Sequence, residues 1–251
     1  MMDAVGRYIV NHNWKNIWDK KSLKTIDLKR DEFSVFCDLK RADGFDVNVR
    51  DEQSYFRAFY SSWMKMYDKL KEITHDKIRS VYEVGCGSGV NLYLFQNRIR
   101  DGVLGGIDYS SGLIDLANDV LPDQNLVCGD AEQMDTETKY DLVMADSVFQ
   151  YFGSQEYAES ILNKMISKAD KAVYLSEIHD IKLREEWLEY RRRSMENYDQ
   201  IYHGLDKMFY SRDWLTNIAE KRGRQAVFFK SENPEYWNSR YVFNCFIFSA
   251  D

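Results

Sequence analysis

The stretch VYEVGCGSG, residues 81–89, decides the fold, because a short apolar run ends there in three alternating glycines. The apolar run at 81–85 predicts a buried strand, and the pattern at 91–98 predicts a helix directly after the loop. Glycines in such a strand-to-helix turn let the backbone bend sharply and let a ligand approach without meeting a Cβ atom. The loop therefore predicts a ligand site at the end of a strand.

Four further apolar runs follow this loop, and most of them end in glycine or an acid. They are VLGGID (103–108), NLVCGD (125–130), DLVMAD (141–146) and AVYLSE (172–177). A helix or connecting loop fits between successive runs, which favours parallel strands joined by right-handed crossovers. Near-continuous apolar runs are typical of a sheet that is covered on both faces. We therefore predict an α/β fold with an open, mostly parallel sheet and helices on both faces.

The C-terminal part predicts two more strands, AVFFK (226–230) and YVFNCFIF (241–248). Because the connection between them is short, they are expected to form an antiparallel pair that closes the sheet. Before them, the charged stretch 182–202 and residues 213–222 have the pattern of helices. We interpret residues 181–210, approximately, as a helical insertion after strand five.

Residues 1–76 form a distinct part of the chain, which is polar, aromatic and free of proline. The run at 53–73 places its large apolar side chains on one face at helical spacing, which predicts an amphipathic helix. A shorter helix is predicted at 14–21, and a loop at 42–44. We therefore divide the chain into an N-terminal helical cap, residues 1–76, and a sheet domain, residues 77–251.

Composition excludes several classes of function. The chain of 251 residues has 34 basic and 41 acidic side chains, and a net charge of −7 argues against general binding to nucleic acid or anionic membranes. Its four cysteines are widely spaced and form no CxxC pair, so a reduced, cytoplasmic protein without a metal site is expected. No stretch approaches the roughly 18 apolar residues of a membrane span or resembles a signal peptide.

Acidic residues follow the second and third strands. Asp108 lies about 20 residues after the glycine loop, where a carboxylate can accept hydrogen bonds from both hydroxyls of a ribose. Asp130 and Ala131 follow the third strand, where a carboxylate and a backbone N–H can address an adenine edge. The loop itself reads GxGxG and lacks the extra residue of the dinucleotide fingerprint GxGxxG. These positions indicate a nucleoside site.

Four stretches resemble the class I, Rossmann-like S-adenosylmethionine-dependent methyltransferases, in that family's order and at its spacings. They are VYEVGCGSG, GGIDYSSGLI, CGDAEQM and KYDLVMADSVFQYF, within residues 80–178. The resemblance implies a seven-stranded sheet with an antiparallel last strand. It also implies S-adenosylmethionine as the cofactor and S-adenosylhomocysteine as the product, with residues 77–251 as the methyltransferase domain.

The same resemblance implies roles around the methionine part of the cofactor. Gly85, Gly87 and Gly89 would line it, and Cys86 lies between them in the loop. Glu83 is expected to organise this loop through backbone contacts or a water.

For the rest of the cofactor, the resemblance assigns the ribose to Asp108 and the adenine to Asp130 and Ala131. Asp146 or the backbone near Ser147 would face the methionine amino group. Tyr109 either stacks on adenine or packs as a half-buried aromatic residue at a helix entry.

The acceptor is expected to be a small molecule. DNA methyltransferases and some protein amide methyltransferases carry a [DNS]-P-P-[YFW] tetrapeptide after strand four, but this chain has Asp146-Ser-Val-Phe there. The helical insertions resemble those of small-molecule methyltransferases, which enclose the acceptor and exclude water. The resemblance therefore implies transfer to oxygen or nitrogen of a small molecule, with sugars and secondary metabolites as candidates.

Acceptor contacts are expected at the carboxyl ends of the strands, where the crevice of an open α/β sheet lies. We predict them from Gln150 and Tyr151 after strand four and from Tyr202 and Tyr210 in the insertion. Aromatic residues make up 15% of the chain, and many fall in the N-terminal cap and the insertion. This distribution predicts an aromatic lid over the acceptor.

Two of the four histidines are candidate catalytic bases. His179 follows strand five beside Asp180 and is the stronger candidate, and His203 lies in the insertion. A lone histidine is more often structural than catalytic. Methyl transfer does not require a base, because alignment can supply about 7–11 kcal/mol, whereas a base typically adds about 10²–10⁴-fold in rate.

The basic run 191–193 has two interpretations. Pairing with glutamates four residues away on the same helix is favoured, and contact with a phosphate-bearing acceptor such as a nucleotide sugar is the alternative.

Two other functions use the same motifs. One is a binding protein that keeps the cofactor pocket without catalysing transfer. The other is a nicotinamide-dependent oxidoreductase, against which the short GxGxG spacing and the segments GDA and DSVFQYF argue.

Overall fold

A computed structural model describes residues 25–44, 51–75, 78–231 and 233–249, and within these ranges seven strands form one sheet. The strands are β1 (Ser80–Val84), β2 (Val103–Asp108), β3 (Asn125–Cys128), β4 (Tyr140–Asp146), β5 (Ala169–His179), β6 (Gln225–Lys230) and β7 (Val242–Phe248). Their order is β3-β2-β1-β4-β5-β7-β6. Strands β1 to β5 are parallel, and β7 is antiparallel to both β5 and β6. The predicted mostly parallel sheet with an antiparallel last strand is confirmed.

The strand order reverses between β1 and β4, since the chain builds the sheet outwards in both directions from this pair. Loops that leave the carboxyl ends of two such strands turn to opposite faces of the sheet and leave a crevice between them. Glu83 near the end of β1 and Asp146 at the end of β4 lie at this crevice. The topology therefore fixes where a ligand site can form.

The described ranges contain eight α-helices. They are α1 (Glu32–Ala42), α2 (Glu52–Thr74), α3 (Val90–Gln96), α4 (Ser111–Val120), α5 (Gln155–Lys168), α6 (Arg184–Ser194), α7 (Tyr198–Ile201) and α8 (Arg212–Lys221). Among these helices, none combines the length and the apolar character needed to cross a membrane. The helix predicted at 14–21 lies outside the described residues.

The prediction of one continuous helix over 182–202 is wrong, because the structure has two helices there. Helix α6 ends at Ser194, and helix α7 begins only at Tyr198. Between them Met195 is extended and Asn197 has a φ of 57°, a left-handed conformation that asparagine tolerates better than most residues. The break lets the insertion fold back on itself.

Helix α1 is an element that the sequence analysis did not predict. The Asp31 side chain accepts a hydrogen bond from the Ser34 backbone N–H, and basic residues occupy the last turn, which suits the helix dipole. Val35, Phe36 and Leu39 are fully buried. This short helix is therefore held by tertiary packing as well as by its cap.

Helices α1 and α2 share one apolar core with β1 and α3. Phe36 of α1 meets the Tyr60 ring edge-on at 5.4 Å, and Trp63 of α2 meets Phe95 at 5.0 Å. At the rim, Arg98 forms an ion pair with Glu32 at 2.7 Å. The described part of the N-terminal cap is thus bound to the sheet by both apolar and ionic contacts.

Replacement of Phe36 by alanine tests this shared core. Because the Phe36 side chain is fully buried, Phe36→Ala is expected to lower the free energy of unfolding by about 3–5 kcal/mol. The single thermal transition should move down by of the order of 10 °C. Differential scanning calorimetry checks this, with Ile201→Ala as the control because Ile201 is 58% exposed. An unchanged main transition would contradict the shared core.

Candidate active site

A cavity of about 440 Å³ lies at the carboxyl ends of the strands, at the crevice between β1 and β4. It brings together fourteen of the residues predicted from the sequence. These are Glu83, Gly85, Cys86, Gly87, Asp108, Tyr109, Asp130, Ala131, Asp146, Ser147, Gln150, Tyr151, His179 and Tyr202. Residues predicted for the cofactor and residues predicted for the acceptor therefore border one continuous space.

Three predicted site residues lie elsewhere. Gly89 caps helix α3 with a φ of 80°, and His203 is exposed in the loop after α7. Tyr210 is buried in the core, where its hydroxyl donates to the Phe149 carbonyl at 2.8 Å and its ring stacks on Trp214. The structure thus corrects the prediction that Tyr210 lines the acceptor site, because the backbone N–H of Tyr210 pairs with β5 and directs the ring inwards.

Asp108 holds the glycine loop in shape. Its Oδ2 accepts the Gly87 backbone N–H at 2.9 Å, and its Oδ1 accepts the Ser110 N–H at 2.8 Å. Asp108 also lines the cavity, and a carboxylate oxygen can accept more than one hydrogen bond. The same carboxylate therefore shapes the loop and borders the cavity.

The end of helix α1 is bound to the same loop. Asp43 Oδ1 accepts the Ser88 N–H at 2.8 Å, and the Ser88 hydroxyl donates to the Leu39 carbonyl at 3.2 Å. A Cβ atom at Gly87 would lie 2.6 Å from Asp43 Oδ1, so this position requires glycine. Burial raises the pKa of Asp43 to about 6. Sequence reasoning missed Asp43, since its partner lies far along the chain.

Buried carboxylates surround Asn91 and Lys40 at the floor of the cavity. The Asn91 side-chain amide donates to Glu83 Oε1 at 2.6 Å and to Asp146 Oδ2 at 3.2 Å. Lys40 Nζ lies 3.6 Å from Asp146 Oδ2, and the Ser176 hydroxyl also donates to Asp146. Burial holds the pKa of Glu83 well above its usual range. Within the described structure, Glu83 Oε2 is buried without a hydrogen-bond partner, and this leaves an acceptor for a ligand amine.

Asp130 is held in position at the other side of the loop. Its side chain accepts the Glu132 backbone N–H at 2.9 Å and the Tyr157 hydroxyl, and Gln133 completes a capping box. Ala131 and Tyr109 border the cavity beside it. A fixed carboxylate, a backbone turn and an aromatic ring are suited to the edge and face of a purine.

The opposite end of the cavity is aromatic and cationic. Tyr151 lies under Lys207, whose Nζ is 3.6 Å from the centre of the Tyr151 ring. Burial, and then the charge of Arg191, lower the pKa of Lys207 well below its usual range, while the charge of Glu177 opposes this. Sequence reasoning did not identify Lys207, because nothing near it in the chain marks it as buried.

The predicted pairing with glutamates four residues away is confirmed for Arg193 and wrong for Arg191 and Arg192. Arg193 pairs with Glu189 at 2.9 Å, four residues away, and Arg192 pairs with Asp199 at 3.1 Å. Arg191 instead lines the cavity together with Trp187, which lies one helical turn earlier on the same face of α6. Helical periodicity therefore places Arg191 on the cavity side of α6, whereas Arg192 and Arg193 do not line the cavity.

His179 lies in the cavity wall between Trp187 and Phe209, and it is 1% exposed. Asn238 Oδ1 accepts the Trp187 indole N–H at 2.8 Å, so the Asn238 nitrogen must donate to His179 Nε2 at 3.1 Å. Burial, together with the charge of Lys207, lowers the pKa of His179 well below its usual value. The geometry therefore indicates a neutral imidazole that is protonated on Nδ1 and whose Nε2 lone pair accepts the hydrogen bond from Asn238.

Nitrogen-15 NMR of labelled histidine tests this state of His179. Because burial disfavours the charged imidazole, the His179 signals should remain those of the neutral, Nδ1-protonated form from pH 8 to about pH 5. The variant His179→Gln assigns the signals. An imidazolium signal for His179 at pH 6, or protonation on Nε2, would contradict the assigned hydrogen bond.

Glu177 occupies a strained position behind the cavity wall. It has a φ of 55°, and it lies in the irregular part of β5 between Leu175 and Ile178. The Asn244 side-chain oxygen accepts its N–H at 3.0 Å, and Glu177 Oε2 is buried without a partner in the described structure. Burial and the charge of Asp146 raise the pKa of Glu177 to about 7. A carboxylate of this kind is suited to accept a proton near neutral pH.

The raised pKa of Glu177 predicts a dependence of stability on pH. Since the pKa is near 4.5 in the unfolded chain and about 7 in the folded protein, ionisation of Glu177 lowers stability as the pH rises through this window. Glu177→Gln should therefore melt a few degrees higher than the wild type at pH 8, with the difference vanishing near pH 4.

Thermal melts of both proteins across this pH range make the measurement. Glu189→Gln is the matched control, because Glu189 is 66% exposed. A Glu177→Gln variant that is less stable than the wild type at pH 8 would contradict the prediction.

Comparison with known proteins agrees with this geometry. Residues 81–170 match the family model described as a methyltransferase domain. The chain is 30% identical over 132 residues to malonyl-[acyl-carrier protein] O-methyltransferase of Priestia megaterium, covering 52% of this chain and 48% of that protein. It is 31% identical over 84 residues to trans-aconitate 2-methyltransferase of Agrobacterium fabrum, covering 34% and 33%. The chain thus spans about half or less of the length of these curated relatives.

Solved structures share the fold over more of the chain. Magnesium protoporphyrin IX methyltransferase of Synechocystis, solved with bound S-adenosylhomocysteine, has a TM-score of 0.62 at 16% identity and covers 84% of this chain and 92% of its own. An amino pentose methyltransferase of Micromonospora echinaspora has a TM-score of 0.59 at 12% identity and covers 82% and 99%. The motifs, the strand order and these likenesses together confirm the resemblance to the class I, S-adenosylmethionine-dependent methyltransferases, and the match to a methyltransferase domain covers residues 81–170.

Proposed function

We propose that the chain transfers a methyl group from S-adenosylmethionine to oxygen or nitrogen of a small molecule. The observation that carries the proposal is the single cavity that runs from Asp108 and the glycine loop to an aromatic end. When bound, the cofactor supplies a methyl group that is activated by the positive charge on its sulfur. Relatives named as O-methyltransferases support oxygen as the acceptor atom.

The proposed cofactor contacts follow from the acidic residues that line the cavity. Asp108 would accept the ribose hydroxyls, because it lies at the end of β2 in the cavity lining and a carboxylate oxygen can accept more than one hydrogen bond. Asp130 would address the adenine. Glu83 Oε2 and Asp146 would face the methionine ammonium. A buried carboxyl oxygen that accepts no hydrogen bond, such as Glu83 Oε2, is stabilised most by a charged donor.

The described part of the N-terminal cap takes part in the proposed site. Lys40, Asp43 and Tyr55 of this part line the cavity together with residues of the sheet domain. We therefore propose that the cap and the sheet domain form one catalytic unit, in which the cap closes the methionine side of the cavity.

The remaining contribution of the protein is alignment and the exclusion of water. Aromatic side chains from α6, α7 and the segment 236–238 enclose the acceptor end. Alignment of donor and acceptor in such an enclosure supplies more of the rate than a base does. Where the acceptor must lose a proton, His179 is poorly suited as the base, because its Nε2 lone pair is engaged by Asn238.

Titration calorimetry with S-adenosylhomocysteine tests the cofactor site. Asp108→Ala is expected to weaken binding about 10–100-fold or more, since it removes charge-assisted hydrogen bonds of about 1.5–3 kcal/mol each and releases the Gly87 N–H. Asp115→Asn is the control, because Asp115 is exposed on helix α4. The proposal fails if neither S-adenosylhomocysteine nor S-adenosylmethionine binds the folded wild type.

Turnover separates catalysis from cofactor binding alone. The wild type, incubated with methyl-labelled S-adenosylmethionine and a metabolite extract, should transfer label to at least one small compound. Transfer should fall with Asp108→Ala and persist with Asp115→Asn. Cofactor binding without transfer to any compound of the extract would instead favour a non-catalytic binding protein.

A further inference from the structure

Arg191 is a cation that faces the acceptor end of the cavity from helix α6. Four aromatic rings surround its guanidinium. They belong to Trp237, Tyr198, Tyr202 and Trp187, with the guanidinium carbon 5.0, 5.3, 5.6 and 5.9 Å from the ring centres. Rings attract a cation through their faces, and the Tyr198 side chain also hydrogen-bonds to Arg191. The fork of N–H groups on a planar guanidinium matches the two oxygens of a carboxylate.

No acid compensates this charge in the described structure. Across the described ranges, no carboxylate oxygen lies within 4.0 Å of the Arg191 nitrogens, and its Nε is buried without a hydrogen-bond partner. Its Nη2 lies 3.9 Å from Met195 Sδ, which is a weak acceptor. The neighbouring Arg192 and Arg193 are exposed and each has an acidic partner. A half-buried guanidinium without an anion is unusual, since desolvation of the charge is then uncompensated.

A second cation lies at the same end of the cavity. Lys207 Nζ lies above the Tyr151 ring, and the charge of Arg191 is one cause of its lowered pKa. Two like charges that face one space repel each other, and a negative group between them would remove this repulsion. Acidic residues thus line the cavity at the glycine loop, and Arg191 and Lys207 line it near the aromatic rings.

We propose that Arg191 binds a carboxylate of the methyl acceptor, whose apolar body packs against the surrounding rings. The proposal rests on the proposed function, because it places the acceptor in this cavity. A bidentate guanidinium–carboxylate contact would give this guanidinium the anionic partner that it lacks in the described structure. The acceptor class is thus an organic acid with a flat or apolar body.

A carboxylate fits this cavity better than a phosphate does. Five acidic residues and three basic residues line the cavity. The acidic residues are Asp43, Glu83, Asp108, Asp130 and Asp146, and the basic residues are Lys40, Arg191 and Lys207. A phosphate monoester brings close to two negative charges into this excess of acids, whereas a carboxylate brings one. The single uncompensated guanidinium matches the charge of one carboxylate.

Ligand binding tests the proposal with pairs of probes that differ only in charge. Aromatic and aliphatic carboxylates, with trans-cinnamate among them, are each compared with the corresponding primary amide, and phenyl phosphate is compared with benzoate. Dissociation constants are measured by calorimetry, both without and with saturating S-adenosylhomocysteine. At least one acid should bind the wild type about tenfold or more tightly than its amide.

Two matched variants on helix α6 assign that preference to one side chain. Arg191→Met keeps the apolar length of the side chain and should remove the preference for the acid, whereas Arg191→Lys should keep part of it. Arg193→Met should keep all of it, because Arg193 is 73% exposed and faces away from the cavity lining. Melting curves show whether each variant is folded.

The proposal is overturned if no acid binds better than its amide, if Arg191→Met retains the preference, or if phenyl phosphate binds more tightly than benzoate. Arg191→Met should leave the dissociation constant of S-adenosylhomocysteine unchanged within about twofold. Failure of the wild type to bind S-adenosylhomocysteine would instead overturn the proposed function, while the measurements made without it still decide the role of Arg191.

Discussion

Two carboxylates that accept backbone N–H groups of the glycine loop are the contacts on which the rest of the site depends. Asp108 from β2 accepts the Gly87 N–H, and Asp43 at the end of α1 accepts the Ser88 N–H. The first bond sets the distance between loop and second strand, and the second brings the N-terminal cap over the crevice. Because Lys40 lies on the same helix as Leu39, to which Ser88 also donates, it is carried to Asp146 by this docking.

The buried carboxylates and the strained backbone of the site lower the stability of the folded protein. Burial raises the pKa values of Asp43, Glu83 and Glu177, so each carboxylate would be more stable in water when it is ionised. Glu177 and Ser147 also adopt left-handed backbone conformations, with φ values of 55° and 58°. Strain and uncompensated charge concentrate where a protein must bind or react, and well-packed elements elsewhere offset them. The fully buried core beneath the sheet supplies that stability here.

The sheet could be predicted well because its signals are local. The apolar run at 103–108 coincides with β2, and the run predicted at 141–146 lies within β4. Strand β5 extends beyond the predicted 172–177 to Ala169 at its start and His179 at its end, since polar residues such as Asp170 and His179 interrupt the apolar run. The cavity-lining cofactor residues could be predicted for the same reason as the strands, because each motif follows a strand end.

The residues that sequence reasoning missed depend on contacts between distant parts of the chain. Asp43 and Ser88 are 45 positions apart, and only the docking of helix α1 makes them neighbours. The predicted pairing treated the basic run as a unit, although the residues four positions from Arg191 are Trp187 and Met195. The rings that surround Arg191 come from α6, from α7 and from Trp237, so only tertiary packing shows its full surroundings.

The two ends of the cavity are formed by different parts of the chain, and this has an evolutionary consequence. Nearly all the residues proposed for the cofactor fall between Glu83 and Ser147, inside the range 81–170 that matches the methyltransferase family. The rings around Arg191 lie between Trp187 and Trp237, outside that range. Substitutions in the second segment can therefore accumulate without disturbing the donor half. In such a scaffold, selection can exchange one acceptor for another while the half that binds the donor stays the same.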